Sequence, residues 1–156
     1  MKRFLKVVFL FMLVILANLD THAQANYKSS VGLGIDFGSG ITLVGPSYKY
    51  FASPKFAIHP ELLFGNGNTG ISGMFQYHGS FPNANGLTWI AGGGTTILLA
   101  KGSSTFYLRG STGLDYKLNN TPLALNFEWR PSFSLSQGGE FEPGRFGLGI
   151  RYVIKK

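Results

Sequence analysis

Between Pro122 and Phe133 hydrophobic and polar residues alternate one for one. Leu123, Leu125, Phe127, Trp129 and Phe133 take the odd positions, and Ala124, Asn126, Glu128, Arg130 and Ser132 the even ones. Side chains of a strand point alternately to its two faces, so this segment presents one large apolar face and one small or charged face. The apolar residues are long and aromatic, and the polar face carries a Glu and an Arg able to pair. That pattern suits a strand with lipid on one side and a polar interior on the other.

The same rhythm, interrupted by Gly, Asn, Ser and Pro, predicts strands over 30–37, 41–51, 55–64, 71–79, 87–99, 105–118, 122–133 and 144–154. Val31, Leu33, Ile35 and Phe37 share a face against Gly32, Gly34 and Asp36. Phe56, Ile58, Leu62 and Phe64 stand opposite Ala57, His59 and Glu61, and Phe75 and Tyr77 opposite Gln76 and His78. Phe106, Leu108, Leu114 and Tyr116 oppose Arg109, Ser111, Asp115 and Lys117; Leu148, Ile150 and Tyr152 oppose Gly147, Gly149 and Arg151. The second strand is less regular, and Gly45-Pro46 marks an expected bulge, because Pro cannot donate to a ladder. Residues 65–70 read as a loop and 134–143 as the longest connection. Most segments approach the ~9–11 residues that a tilted strand needs to cross a bilayer. Eight strands also enclose an interior that side chains can fill. The expected fold is all-β: an eight-stranded antiparallel up-and-down transmembrane β-barrel over 26–156.

Composition agrees with this. Hydrophobic residues make up 44% and aromatics 15%, with 22 Gly and only 13% charged residues. There is ample surface to bury, unlike a disordered chain, and less charge than a soluble sandwich would carry on its wet face.

Residues 1–25 stand apart as a secretory signal peptide. Lys2, Arg3 and Lys6 precede an apolar run from Val7 to Ala17, and Ala23 and Ala25 offer small residues for cleavage. The run is shorter than the ~18–20 residues of a spanning helix. With no Cys in the chain, neither a Cys-linked lipid nor a disulfide is available. Removing the segment leaves about +5 of the formal charge of +7, dispersed along the chain, which speaks against nucleic acid as a partner.

The charged residues give the facing a sharper test. Asp36, Glu61, Asp115 and Glu128 all fall on polar faces, as do Arg109, Lys117, Arg130 and Arg151. With His59, Gln76 and His78 they form a candidate polar network in the lumen. Four acids and four bases nearly cancel, and unpaired buried charge is costly, so they are expected to pair.

Three local patterns carry a family resemblance: Tyr48-Lys49-Tyr50-Phe51 with Ser53-Pro54; Tyr77-His78-Gly79, a Pro/Asn turn, Trp89 and the triple Gly; and Leu114-Asp115-Tyr116-Lys117, an Asn-rich turn and Trp129-Arg130-Pro131-Ser132. The chain resembles the small eight-stranded outer-membrane β-barrels of Gram-negative bacteria, similar to the OmpX and OmpA barrels and to uncharacterised Bacteroidetes members. The resemblance implies an outer-membrane location, lipid as surroundings and the barrel-assembly machinery as a partner in biogenesis. It leaves oligomeric state and specific role open. Such barrels usually finish on an aromatic residue, whereas this chain ends Tyr152-Val153-Ile154-Lys155-Lys156.

Candidate chemistry is sparse. His59, Glu61, His78 and Ser72 could serve a lipid-modifying hydrolase, as in some small outer-membrane barrels, but no motif surrounds any Ser and facing alone does not build a triad. The same His and Glu residues lack metal-site spacing. The glycine groups lie inside strands, not at the strand-to-helix turns that hold phosphates. Tyr48, Tyr50, Tyr77, Trp89, Tyr116, Trp129 and Tyr152 suit an interfacial girdle. The expectation is a non-enzymatic barrel without cofactor or metal, in a structural or surface-interaction role. The alternatives are an outer-membrane enzyme of lipid acyl chemistry and a soluble exported barrel for a small apolar ligand.

Overall fold

The computed structural model describes residues 27–136 and 138–155. The signal-peptide reading, with Ala23 and Ala25, lies outside the described residues, as does Lys156. The chain forms β1 (Ser29–Gly38), β2 (Ile41–Phe51), β3 (Phe56–Gly65), β4 (Asn68–Ser80), β5 (Leu87–Ala100), β6 (Ser103–Lys117), β7 (Leu123–Trp129), β8 (Ser132–Ser134), β9 (Phe141–Glu142) and β10 (Phe146–Lys155). All pairings are antiparallel. Neighbours in sequence pair from β1 to β7, β10 pairs with β7, and β10 returns to β1, closing an eight-stave barrel.

β7 and β8 are one stave. Thr112 lies opposite Trp129 and Arg109 opposite Ser132, the same register on both sides of the gap. The gap falls where Pro131 has no N–H to give. Its carbonyl still accepts from the Gly110 amide at 2.8 Å, and the Arg130 amide donates to the Arg145 carbonyl at 2.8 Å. Stepping sideways from Ser29 through Tyr50, Ile58, Phe75, Gly93, Gly110, Pro131 and Gly144 returns to β1 level with Ser39, ten residues further along. That stagger tilts the strands, by about 35–45° in barrels of this kind.

Both described ends of the chain lie at one rim, where Ser29 pairs with Lys155 and Tyr50. At the opposite rim the turns are tight. Asn66 and Gly67 have φ of 52° and 73°, the left-handed pair of a two-residue hairpin turn. Residues 65–70 are therefore not a loop: Gly65 ends β3, Asn68 begins β4, and only Asn66-Gly67 turns. Nor does Gly45-Pro46 form a bulge, since β1 pairs with β2 in unbroken register through Gly34–Gly45 and Leu33–Pro46. Within 134–143, β9 folds back on β8, pairing Phe141 with Phe133 and extending the barrel wall outward.

Facing follows the alternation. Leu33, Phe56, Phe75, Phe106, Phe127 and Ile150 are exposed on the outside, while Asp36, Lys49, His59, Asp115, Glu128 and Arg151 are buried within. This inverts the usual distribution of a water-soluble domain. Tyr48, Tyr50, Tyr77, Trp89, Tyr116 and Tyr152 lie toward the rim of the chain ends, with the Tyr77 and Trp89 rings 5.4 Å apart. Trp129 sits toward the other rim and donates to the Pro143 carbonyl at 2.6 Å.

Inward-facing glycines make the closure possible. A Cβ on Gly92, Gly94 or Gly113 would lie within bond-like distance of a carbonyl oxygen on the neighbouring strand. The wall bends at these positions in a way that residues with side chains cannot follow. Gly94→Val and Gly113→Val are each expected to abolish closure: after refolding in detergent the heat-modifiable compact band on gels should largely vanish. The exposed-turn variant Lys101→Ala should keep it.

Candidate functional site in the barrel interior

Side chains from seven staves meet inside. Arg130, from the β7–β8 stave, is the centre. Its guanidinium bonds Glu61 of β3 in a fork, Nη1 to Oε2 at 2.6 Å and Nη2 to Oε1 at 3.3 Å. Nε reaches Glu128 Oε2 at 3.1 Å, and Nη1 lies 3.4 Å from Asp36 Oδ2. Asp36 also takes Arg109 Nη1 at 2.6 Å and is bonded by Arg145. Glu128 is further held by Ser111 at 2.8 Å, by Gln76 at 2.9 Å and by Asn126. Asp36, Glu61, Glu128 and Arg130 thus each have an opposite charge and further partners, the condition under which buried ions are tolerated.

A second cluster lies nearer the chain ends. Asp115 accepts from Lys49 Nζ at 2.8 Å, from Arg151 Nη2 at 2.7 Å and from the Tyr27 hydroxyl at 3.2 Å. Asn126 joins the clusters, donating to Glu128 and accepting from Arg151. Below it Tyr27, Phe51, Ala57, Ala124 and Val153 form a small apolar layer at that rim.

Glycines opposite the charged groups provide their space. A side chain at Gly34 would collide with the Glu61 carboxylate, one at Gly147 with the Arg130 guanidinium, and one at Gly149 with Asn126. The paired glycines of β1 and β10 are thus complementary to the long side chains reaching toward them.

The eleven residues read from the sequence as an interior network are all buried. Asp36, Glu61, Gln76, Arg109, Asp115, Glu128, Arg130 and Arg151 take part in the two clusters above. Lys117 does not: its ammonium donates to the Leu118 carbonyl at 2.8 Å and to that of Thr121, tying down a turn at the rim. His78 contacts Thr88 at 3.2 Å and the edge of Phe51. His59 instead lies 2.8 Å from the Ser47 hydroxyl and 3.3 Å from Glu61. The histidines therefore serve different neighbours, and among the described residues no group of three His, Asp or Glu is disposed to hold a metal. The serine that meets His59 is Ser47, whereas Ser72 bonds Thr96 at 2.9 Å.

Lys49, fully buried, was not among the residues read as interior. The signal was present: Lys49 stands between Tyr48 and Tyr50, and the odd positions Leu43, Ser47, Lys49 and Phe51 all face inward. The irregularity around Gly45-Pro46 obscured that parity. Arg145 lies inside the expected strand 144–154 on the parity of Gly147, Gly149 and Arg151, so its polar facing is legible in the sequence; Tyr27 lies outside the alternating segments, and only the folded chain places it.

At the rim away from the chain ends the interior opens into a cavity of about 240 Å³, bordered by Asp36, Thr96, Tyr107, Arg109, Ser132 and Arg145 among others. Beside it the Ser39 hydroxyl and the Gly144 amide donate to Glu142 and hold its carboxyl below the usual range.

No protein-family model matches the chain, and no curated protein does. Among solved structures it is similar to a barrel from a study of the de novo design of transmembrane β-barrels, at 11% identity and a TM-score of 0.57, covering 84% of this chain and 99% of that one. It is likewise similar to the solution NMR structure of the de novo designed TMB2.3, at 12% identity and a TM-score of 0.55, covering 84% and 98%. At such identity the likeness is one of fold: a closed eight-stranded barrel of the transmembrane kind.

Because Arg130 serves three carboxylates, Arg130→Met should cost about 3–5 kcal/mol, the range for removing one partner of a buried ion pair. Arg130→Glu should cost more, and adding Glu128→Arg should restore little of it, since the new carboxylate still faces Asp36 and Glu61. Urea unfolding in lipid vesicles measures all three; near-full recovery in the double variant would mean that Arg130 and Glu128 form an isolated pair.

Proposed function

We propose that the protein is a small outer-membrane β-barrel of the OmpX and OmpA type, with a polar interior filled by side chains and a structural or surface-interaction role without catalysis. On this reading residues 1–25 direct export and are removed near Ala23 or Ala25, and the barrel-assembly machinery inserts the mature chain. Both chain ends then face the periplasm, and the rim carrying Asn66-Gly67, Lys101-Gly102 and the β8–β9 hairpin faces outward.

The observation that carries the reading is the inverted distribution of polarity. Large apolar side chains cover the outside, and the ionic network around Arg130 lies within. Closed pairing supports it too, since lipid offers no partner for a free backbone group. The Tyr and Trp residues gathered toward one rim suit a membrane–water interface. Against catalysis stands the setting of the Ser47–His59 contact: Ser47 is 1% exposed and neither residue borders the cavity. A soluble carrier of apolar ligands would need an apolar interior, and this one is charged.

Fractionation of cells expressing the full chain tests the location: the protein should appear in the outer-membrane fraction and shift its gel mobility on heating. Recovery in the soluble periplasmic fraction would overturn the reading. In planar bilayers the refolded barrel should give no stable open channel, because Arg130, Glu61 and Glu128 bridge the lumen.

A further inference from the structure

We propose that Lys28, Lys55 and Lys155 form a basic collar at the rim of the chain ends, and that this collar gathers anionic phospholipid in the adjoining leaflet. The inference rests on the membrane reading above and adds the lipid chemistry that this rim selects. Lys28 and Lys155 are exposed, and Lys55 is half-buried. The three stand on neighbouring staves. The Lys28 amide donates to the Lys155 carbonyl at 2.8 Å, and the Phe51 amide donates to the Lys28 carbonyl at 2.9 Å. Across the next turn the Ala52 amide donates at 2.9 Å to the carbonyl of Phe56, which follows Lys55. The patch therefore runs from β10 through β1 and β2 to the start of β3, in steps of about 4.8 Å.

No carboxylate neutralises it. None of the three lysines joins an ion pair among the described residues. The acids of the described residues lie elsewhere: Asp36, Glu61, Asp115 and Glu128 are buried, and Glu140 and Glu142 border the cavity at the far rim. That far rim sets Lys101 against Glu140 and Glu142, and its Arg145 is already bonded to Asp36. The two rims thus differ in charge, with uncompensated lysines only at the chain ends. Aromatic rings lie at the same level. Phe56, next to Lys55, meets Tyr77 at 5.2 Å, and Tyr77 meets Trp89 at 5.4 Å. Tyr50 lies across the ladder from Ser29, beside Lys28, and Tyr152 is on the strand that ends in Lys155. Tyr and Trp settle at the membrane–water interface, where lysine stems follow apolar surface and the ammonium reaches the polar layer. Clustered lysines at that depth attract acidic lipid. A lipid meets both the ammonium groups and the rings below them, whereas a soluble acidic partner would meet only the former.

Single-tryptophan barrels read the two rims separately. Trp129→Phe leaves Trp89, which adjoins Ile90, the ladder partner of His78, whose amide donates to the Lys55 carbonyl at 2.7 Å. Trp89→Phe leaves Trp129, which donates to the carbonyl of Pro143 beside Glu142. Each full mature chain is refolded into phosphatidylcholine vesicles carrying brominated phosphatidylglycerol or, at equal bromine content, brominated phosphatidylcholine. Quenching then gives the relative lipid affinity at that rim. At Trp89 phosphatidylglycerol should be favoured by about threefold or more. At Trp129 neither lipid should be favoured. Salt at about 0.5 M should remove most of the Trp89 preference by screening, a result that needs no lysine variant to fold. Lys28→Gln, Lys55→Gln and Lys155→Gln combined should abolish it and keep the heat-modifiable band, and Lys101→Gln should leave it unchanged. Equal quenching by the two lipids at Trp89 would overturn the proposal, as would a preference that survives the triple variant or is equal at both rims. If brominated phosphatidylcholine quenches neither tryptophan, the barrel is not in the bilayer, and the membrane reading falls together with the collar.

Discussion

The structure depends on one requirement: the hydrogen-bond ladder must close on itself. Outside the barrel are side chains such as Leu33, Phe75 and Phe127, and a backbone surrounded by such groups cannot turn to water for its partners. The pairing of β1 with β10 removes the last free edges. Much else follows. The described chain ends meet at one rim, Pro131 interrupts a stave without shifting its register, and the ten-residue stagger fixes a narrow interior into which opposite walls project side chains.

That narrowness explains the interior. With the apolar residues committed to the outer face, the inner face is left to polar groups, and at this diameter they touch. Arg130 reaches Glu61, Glu128 and Asp36 from one position because β1 and β3 converge on its own β7–β8 stave there. The network costs desolvation, which its geometry offsets through forked and multiply bonded carboxylates. Glycines are the other half of this arrangement. Gly34, Gly147 and Gly149 leave room for long charged side chains, and Gly92, Gly94 and Gly113 let the wall bend. The interior is therefore specified jointly by where side chains are long and where they are absent. Glu128 and Asp115 are each held by several donors, while single atoms unpartnered among the described residues remain across the interior, including Arg109 Nε, His59 Nδ1 and Arg151 Nε.

Alternation alone made the staves legible. Phe127, Glu128, Trp129 and Arg130 state both faces of a strand in four residues, and period two has no other common structural reading. Where small residues dilute the contrast, the reading failed. Gly65 and Gly70 looked like loop residues because glycine carries no facing signal, yet both lie within strands around a two-residue turn. Gly45-Pro46 suggested a bulge because Pro cannot donate to a ladder, and it hid Lys49 behind it.

The sequence by itself determined the main strands and their inner and outer faces, and with them most of the charged groups that share the interior, Lys49 excepted, because these depend on local periodicity. The tertiary structure decided which of those groups meet. Sequence neighbours Glu128 and Arg130 look like an isolated pair, but Arg130 is shared with Glu61 and Asp36 from strands far away in the chain. Lys117 faces inward like the others and still serves only a turn, and His59 and His78 serve different neighbours. Partner choice depends on height along a tilted barrel, which is set by stagger and closure. Those are properties of the whole ladder, and no single strand carries them.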